Sequence, residues 1–181
     1  TVGGGQERSG IECGGKSEVT VVAVMSDLHL ERHPFQVPSF SADLMVLAGD
    51  IIESKAGSPV EWAKQNLPDR TPVVFVPGNH DFYGGKKGKL LDAWRKQARG
   101  SHVHVLYNES IELAGMRVLG TPLWSGLALF RSPIHEAHLR RHLPMRVDDF
   151  SRIHQNNGRT WTTKDMLAEH ALALDFLERE L

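Results

Sequence analysis

Three short apolar runs, Val19 to Met25, Leu44 to Ala48 and Val73 to Val76, are each followed at once by side chains able to hold a metal ion. After the first comes Ser26-Asp27-Leu28-His29, after the second Gly49-Asp50, and after the third Pro77-Gly78-Asn79-His80-Asp81. Runs of this length and β-branched content read as strands buried on both faces, and such strands favour a parallel sheet. Ligands of open α/β sheets gather outside the carboxyl ends of the strands, so the three segments are expected to converge on one crevice. Gly49 and Gly78 let the backbone turn sharply there. Taken one at a time, these residues are ordinary turn formers. Two histidines, and the repeat of the pattern after all three strands, favour ligation instead. Oxygen donors mixed with imidazole suit manganese, iron or zinc better than calcium alone.

The segments between the strands are consistent with a parallel sheet. Ser58 to Asn66 has a Ser N-cap and Pro at its first helical position, which makes a βαβ crossover between the second and third strands. Lys86 to Ala98 reads as a second helix with Leu90, Leu91 and Trp94 on one side. His102 to Tyr107, Ser110 to Leu113 and Met116 to Gly120 read as shorter strands, the last two joined by a hairpin turn at Ala114-Gly115. Thr163 to Leu181 is expected to be an amphipathic helix with Leu167, Ala171, Leu174 and Leu181 inward, begun by a capping box at Thr162 and Asp165. No repeat or interdomain linker interrupts the chain.

SDLHL, AGDII and PGNHDFY, in this order and spacing, resemble the calcineurin-like metallophosphoesterases, and GTPLWSGL at 120–127 resembles a segment of some bacterial members. The resemblance spans residues 19 to 181 and implies an α/β sandwich of two mixed sheets flanked by helices. It implies hydrolysis of a phosphomonoester or phosphodiester at a dinuclear centre of divalent ions such as manganese, iron or zinc. Asp27 and His29 would hold the first metal, Asp50 would bridge both, and Asn79 would hold the second. His80 would be the catalytic histidine, and Asp81 is expected to fix its tautomer. Members of the family carry further metal-binding histidines downstream, including a G-H-x-H segment, and none precedes Leu181. The domain, residues 18 to 181, is therefore expected to be C-terminally incomplete. A missing C-terminal piece, a swapped copy of the chain or a partner chain would supply the remaining ligands. A second reading, from another class, is a protein-interaction scaffold that keeps the sandwich without turnover and docks through its uncovered sheet.

Other features weigh less. His135, His138 and His142 share one face of an expected helix that also carries Arg140 and Arg141. It reads as a solvated face or as a lid whose arginines bind substrate phosphate. His102 and His104 read as a surface strand face, and His170 as half-buried helix packing. Lys86, Lys87 and Lys89 read as a solvated helix start. The four tryptophans, Trp62, Trp94, Trp124 and Trp161, are spread along the chain and read as packing rather than a base-stacking platform.

A net charge of −1 offers no basic field for nucleic acid. The single Cys13 and the lack of a long apolar run point to a cytoplasmic protein that does not enter membranes. The stretch GIECGGKS, Gly10 to Ser17, has the spelling of a phosphate-binding loop. Such a loop needs a strand before it and a helix after it. Here a glycine-rich polar stretch precedes it and a strand follows, so residues 1 to 17 read as a flexible tail.

Overall fold

The computed structural model describes residues 19–127 and 132–181. The expected tail and the loop-like GIECGGKS lie outside them. Four strands form a parallel sheet in sequential order: β1 (Val22–Met25), β2 (Leu44–Leu47), β3 (Val73–Phe75) and β4 (Val103–Val105). The register pairs Met25 with Leu47 and Leu47 with Phe75, so the first three strands end side by side. β5 (Glu109–Leu113) and β6 (Met116–Gly120) form an antiparallel hairpin, as the Ala114-Gly115 turn predicts. The α/β architecture is as expected, with its fourth parallel strand drawn from the His102 to Tyr107 segment.

Helices α1 (Pro59–Asn66) and α2 (Lys87–Ala98) cover one face of the sheet. Ser58 caps α1 by accepting the Glu61 N–H at 3.4 Å. The core beneath them joins Met45, Leu47, Val73 and Phe75 to Val60, Ala63, Leu91 and Trp94. Trp94 meets Phe75 edge-on at 5.6 Å between centroids and Phe82 at 5.3 Å. Each such side chain contributes about 1.5–3 kcal/mol by burial alone.

The opposite face is covered less completely. Leu44, Val74 and Leu106 pack under the β5–β6 hairpin through Ile111, Leu113, Met116 and Val118. β1 lies at the sheet edge, where Val22 is 40% and Val24 64% exposed. The expectation that all three strands are buried on both faces therefore fails for β1. Its inward residues Ala23 and Met25 pack on the core, while nothing among the described residues covers its other side.

The C-terminal part contains α3 (Pro133–His142), the single-turn α4 (Asp149–Arg152) and α5 (Thr163–Glu180). The capping box of α5 forms as read: Asp165 Oδ2 accepts the Thr162 N–H at 2.9 Å, and Thr162 Oγ1 accepts the Asp165 N–H at 3.3 Å. Its buried stripe is Met166, Ala173 and Phe176; Ala171, Leu174 and Leu181 face solvent and Leu167 alone of the expected set reaches the core. The helix is turned by a buried ion pair. Lys87 Nζ meets Glu169 Oε1 at 2.7 Å and stacks over the Tyr107 ring at 4.3 Å, while Tyr107 Oη donates to Glu169 Oε2 at 2.6 Å. Lys87 is thus buried rather than solvated, and burial lowers its pKa against the pull of Glu169. Trp124 and Trp161, far apart in sequence, pack together at 5.1 Å.

Candidate metal centre

The loops that leave β1, β2 and β3 meet at one edge of the parallel sheet. Asp27, His29 and Asp50 each have positive φ, at 53°, 45° and 55°. Left-handed backbone is unfavourable for residues with a Cβ and persists where surrounding structure over-determines it. The over-determination is visible. The Asp27 N–H donates to Gly49 O at 3.1 Å, His29 N–H to Asp50 O at 3.1 Å and Leu30 N–H to Ile51 O at 3.0 Å. These bonds carry the strand pairing past the ends of β1 and β2.

The second and third loops close without side chains between them. A Cβ on Gly49 would lie 2.8 Å from the Gly78 nitrogen, and one on Gly78 would lie 2.2 Å from Asp50 Oδ1. Both glycines are therefore required by close approach, as their place after the strands suggested. The His80 N–H donates to Asp50 Oδ1 at 2.9 Å, which ties the Asn79-His80 turn to the Asp50 carboxylate.

Asp81 holds this junction together. It is fully buried, and its two oxygens accept N–H groups from Asp50, Ile51, Ile52 and Gly78 at 2.9–3.1 Å. Burial pushes its carboxyl up to about 7, opposed by the donated N–H groups, which favour the anion. The expectation that Asp81 orients His80 is corrected by this geometry. Nδ1 of His80 is buried and has no hydrogen-bond partner among the described residues. Short polar residues at strand ends are as apt to bind backbone as each other, and here four backbone donors take the carboxylate.

Asp27, His29 and Asp50 can bring one ligand atom each to within 4.8 Å of one another, and so can His29, Glu31 and His80. Burial raises the Asp50 carboxyl, with the His80 N–H and the two histidines opposing. Glu31 was missed in the sequence. Its Oε1 lies 3.2 Å from His29 Nδ1 and its Oε2 accepts the Glu53 N–H at 3.3 Å. A carboxylate on one ring nitrogen fixes a histidine and leaves the other nitrogen for a ligand. The His29 and His80 rings meet edge-on at 4.6 Å.

Three more residues reach the site from elsewhere in the fold. Tyr83 stacks on His80 at 4.3 Å, and the Arg152 guanidinium lies 4.4 Å from the other ring partner, Tyr83. Arg152 is held by Glu53 at 3.0 and 2.5 Å. Asp149, buried, accepts from Tyr83 Oη at 2.5 Å and from Asn79 Nδ2 at 2.7 Å. Burial, then Asp149, raises the Tyr83 pKa, which keeps the phenol a donor. Beside Asn79 and Asp149 opens a cleft of about 750 Å³ walled by Val46, Val76, Leu123 and Trp124.

Arg140 and Arg141 are placed otherwise. No residue of α3 is buried, and Arg140 pairs with Glu136 one turn back at 2.5 Å. No hydrogen bond or ion pair among the described residues joins either arginine to the strand-end loops.

The donor set, the three left-handed ligand positions and the orphaned His80 nitrogen fit a divalent-ion centre. A profile of calcineurin-like phosphoesterases matches residues 20–125. The chain belongs to the calcineurin-like phosphoesterase family. The match covers all three strand-end segments, the β5–β6 hairpin and the segment to Ser125. An uncharacterised protein of Acanthamoeba polyphaga mimivirus is 23% identical over 168 residues, covering 81% of this chain. The chain spans 60% of the length of that curated relative.

Proposed function

We propose that this phosphoesterase-family chain hydrolyses phosphomonoesters or phosphodiesters at a dinuclear centre, with manganese, iron or zinc as the ions. Asp27, His29, Asp50 and Asn79 would hold the ions, with Asp50 shared between the two sites. The observation that carries this reading is the convergence of Asp27, His29 and Asp50 on strained backbone at the sheet edge. Two divalent ions in such a cluster supply Lewis acidity toward both a phosphoryl oxygen and an attacking water.

The chain's own residues supply the rest. Glu31 orients His29, and the Asp81 clamp fixes the distance between the Asp50 and Asn79 loops. His80, edge-on to His29 and packed on Tyr83, would be the residue that donates a proton to the leaving oxygen. Arg152, with its guanidinium over the Tyr83 ring at 4.4 Å, is better placed than Arg140 or Arg141 to meet substrate phosphate.

Metal content after incubation with manganese and desalting, together with turnover of a generic aryl phosphate and its diester, tests the reading. About two ions per chain with hydrolysis are expected. Asp50→Ala is expected to lose both ions, and His80→Ala to lose turnover while keeping them. Equal metal loss in the two variants would make His80 a ligand, as its grouping with His29 and Glu31 allows. Remaining ligands from a further segment, a second copy or a partner chain belong to the same proposal, as does a cytoplasmic setting. No helix among the described residues is long and apolar enough to cross a membrane.

A further inference from the structure

Asn79 has a side chain with two different edges, and only its oxygen can bind a cation. Which edge faces the site is decided by Asp149 and Tyr83. The Asn79 NH2 donates to Asp149 Oδ1 at 2.7 Å, so the nitrogen edge of the amide faces Asp149. Tyr83 Oη gives its single proton to the same Asp149 oxygen at 2.5 Å. The phenol oxygen is thereby left as an acceptor, and it lies 3.2 Å from Asn79 Nδ2. Both acceptors thus hold the nitrogen, and Oδ1 is turned to the opposite edge of the amide. Asn79 itself sits between Gly78 and His80, the two residues whose backbones close on the Asp50 carboxylate. Asp149 is buried and 70 residues from Asn79 in sequence, so the contact comes from the docking of α4.

We infer that Asp149 and Tyr83 are positioning residues that lock the Asn79 amide with its oxygen toward the metal centre. The α4 turn is then part of the site's assembly. The inference rests on the metal-dependent reading above. Arg152, from the same turn, lies over the Tyr83 ring and is itself fixed by Glu53.

The test is manganese binding to the full chain by titration calorimetry, with the number of ions and each affinity resolved. The variants are Asp149→Asn, Tyr83→Phe, Asn79→Ala and Asn79→Ala with Asp149→Asn. Asp149→Asn preserves volume yet offers an amide that accepts or donates, so Asn79 is no longer held one way round. Loss of such an outer partner typically weakens a metal by about 10–100-fold. That loss is expected in one ion only, with a smaller loss for Tyr83→Phe. In the Asn79→Ala background, Asp149→Asn is expected to change nothing further. The unfolding midpoint of the metal-free protein controls for folding, and Tyr83→Phe, which keeps the ring stack, carries the test if Asp149→Asn is unstable. Two ions bound by the wild type with unchanged affinities in Asp149→Asn and Tyr83→Phe would overturn the inference alone. An equal loss with and without Asn79 would also overturn it, as a merely structural effect. A wild-type chain that binds no manganese would overturn the metal-dependent reading and this inference together.

Discussion

The strand-end loops and helix α3 are both rich in polar side chains, yet they differ in what holds them. In the loops, nearly every candidate ligand is tied down by backbone: Asp27 and His29 to the Gly49–Asp50 turn, Asp50 to His80, and four amides to Asp81. In α3 the histidines and arginines project from a helix with no buried residue, where Arg140 pairs with Glu136 and His138 packs on His142, both within the same helix. Both regions carry histidines and formal charges, acidic in the loops and basic in α3. They differ in fixed position, and a metal or a transition state needs fixed position.

The sharpest way to break this contrast is at Asp81. Asp81→Ala leaves four backbone N–H groups without their acceptor, at about 1–3 kcal/mol for each one that stays dry. Denaturant unfolding is expected to show a loss of about 4 kcal/mol, near the top of single-site effects. A loss below about 1 kcal/mol would mean that water replaces the carboxylate and that the loops are not locked by it.

Gly78→Ala strikes the same junction from the other side. Its methyl would meet the Asp50 carboxylate 2.2 Å away, and overpacking of this kind costs about 1–3 kcal/mol. Because Asp50 must shift, manganese affinity is expected to fall by more than the stability change alone would suggest. Retained affinity would show that the Gly49 and Gly78 backbones have room to separate.

A smaller effect is expected at the start of α5, which bears on whether the C-terminal helices are independently anchored. Arg159, first among several partners, holds the Asp165 carboxyl well below the usual carboxylate range, and Thr162 adds to this. A depressed carboxylate pKa adds stability that is present above the unfolded value, near 3.8, and is lost as pH falls toward the folded value. Asp165→Asn is therefore expected to lose about 1 kcal/mol at pH 7, a typical capping effect, with the difference from wild type shrinking below about pH 4. A pH-independent difference would assign the effect to packing instead.

The smallest change is expected in α3. Arg140→Ala removes an exposed i,i+4 pair and should alter stability by less than about 0.5 kcal/mol. If the loops and the α4 turn make the site, the KM for a phosphoester is unchanged in Arg140→Ala and Arg141→Ala and rises in Arg152→Ala. A rise in the first two would restore α3 as a substrate-binding lid and dissolve the contrast.

Much of this organisation is legible in the chain itself. The order of strand, turn and ligand repeats three times within local stretches, and the caps at Ser58 and Thr162 depend on residues only three positions away. Local signals of this kind survive folding because propensity and pattern act over a few residues. The errors fall where the partner is distant. β1 has the composition of an interior strand, but sheet order makes it an edge. The spacing of apolar residues in α5 predicts a face through Leu174 and Leu181, whereas Lys87 and Tyr107 hold Glu169 and turn Met166, Ala173 and Phe176 inward. Helical periodicity allowed either stripe, and an ion pair spanning 82 residues chose between them.

The sequence by itself determined that acidic, amide and imidazole donors follow three strands, and the resemblance of those motifs to the calcineurin-like phosphoesterases implied the fold. Only the tertiary structure decided which neighbours govern those donors: Glu31 on His29, Asp81 on the loop backbones, and Asp149 with Tyr83 on Asn79. The physical reason is that a ligand's identity is local chemistry, whereas its orientation is set by hydrogen bonds from elements that meet only after the chain has packed.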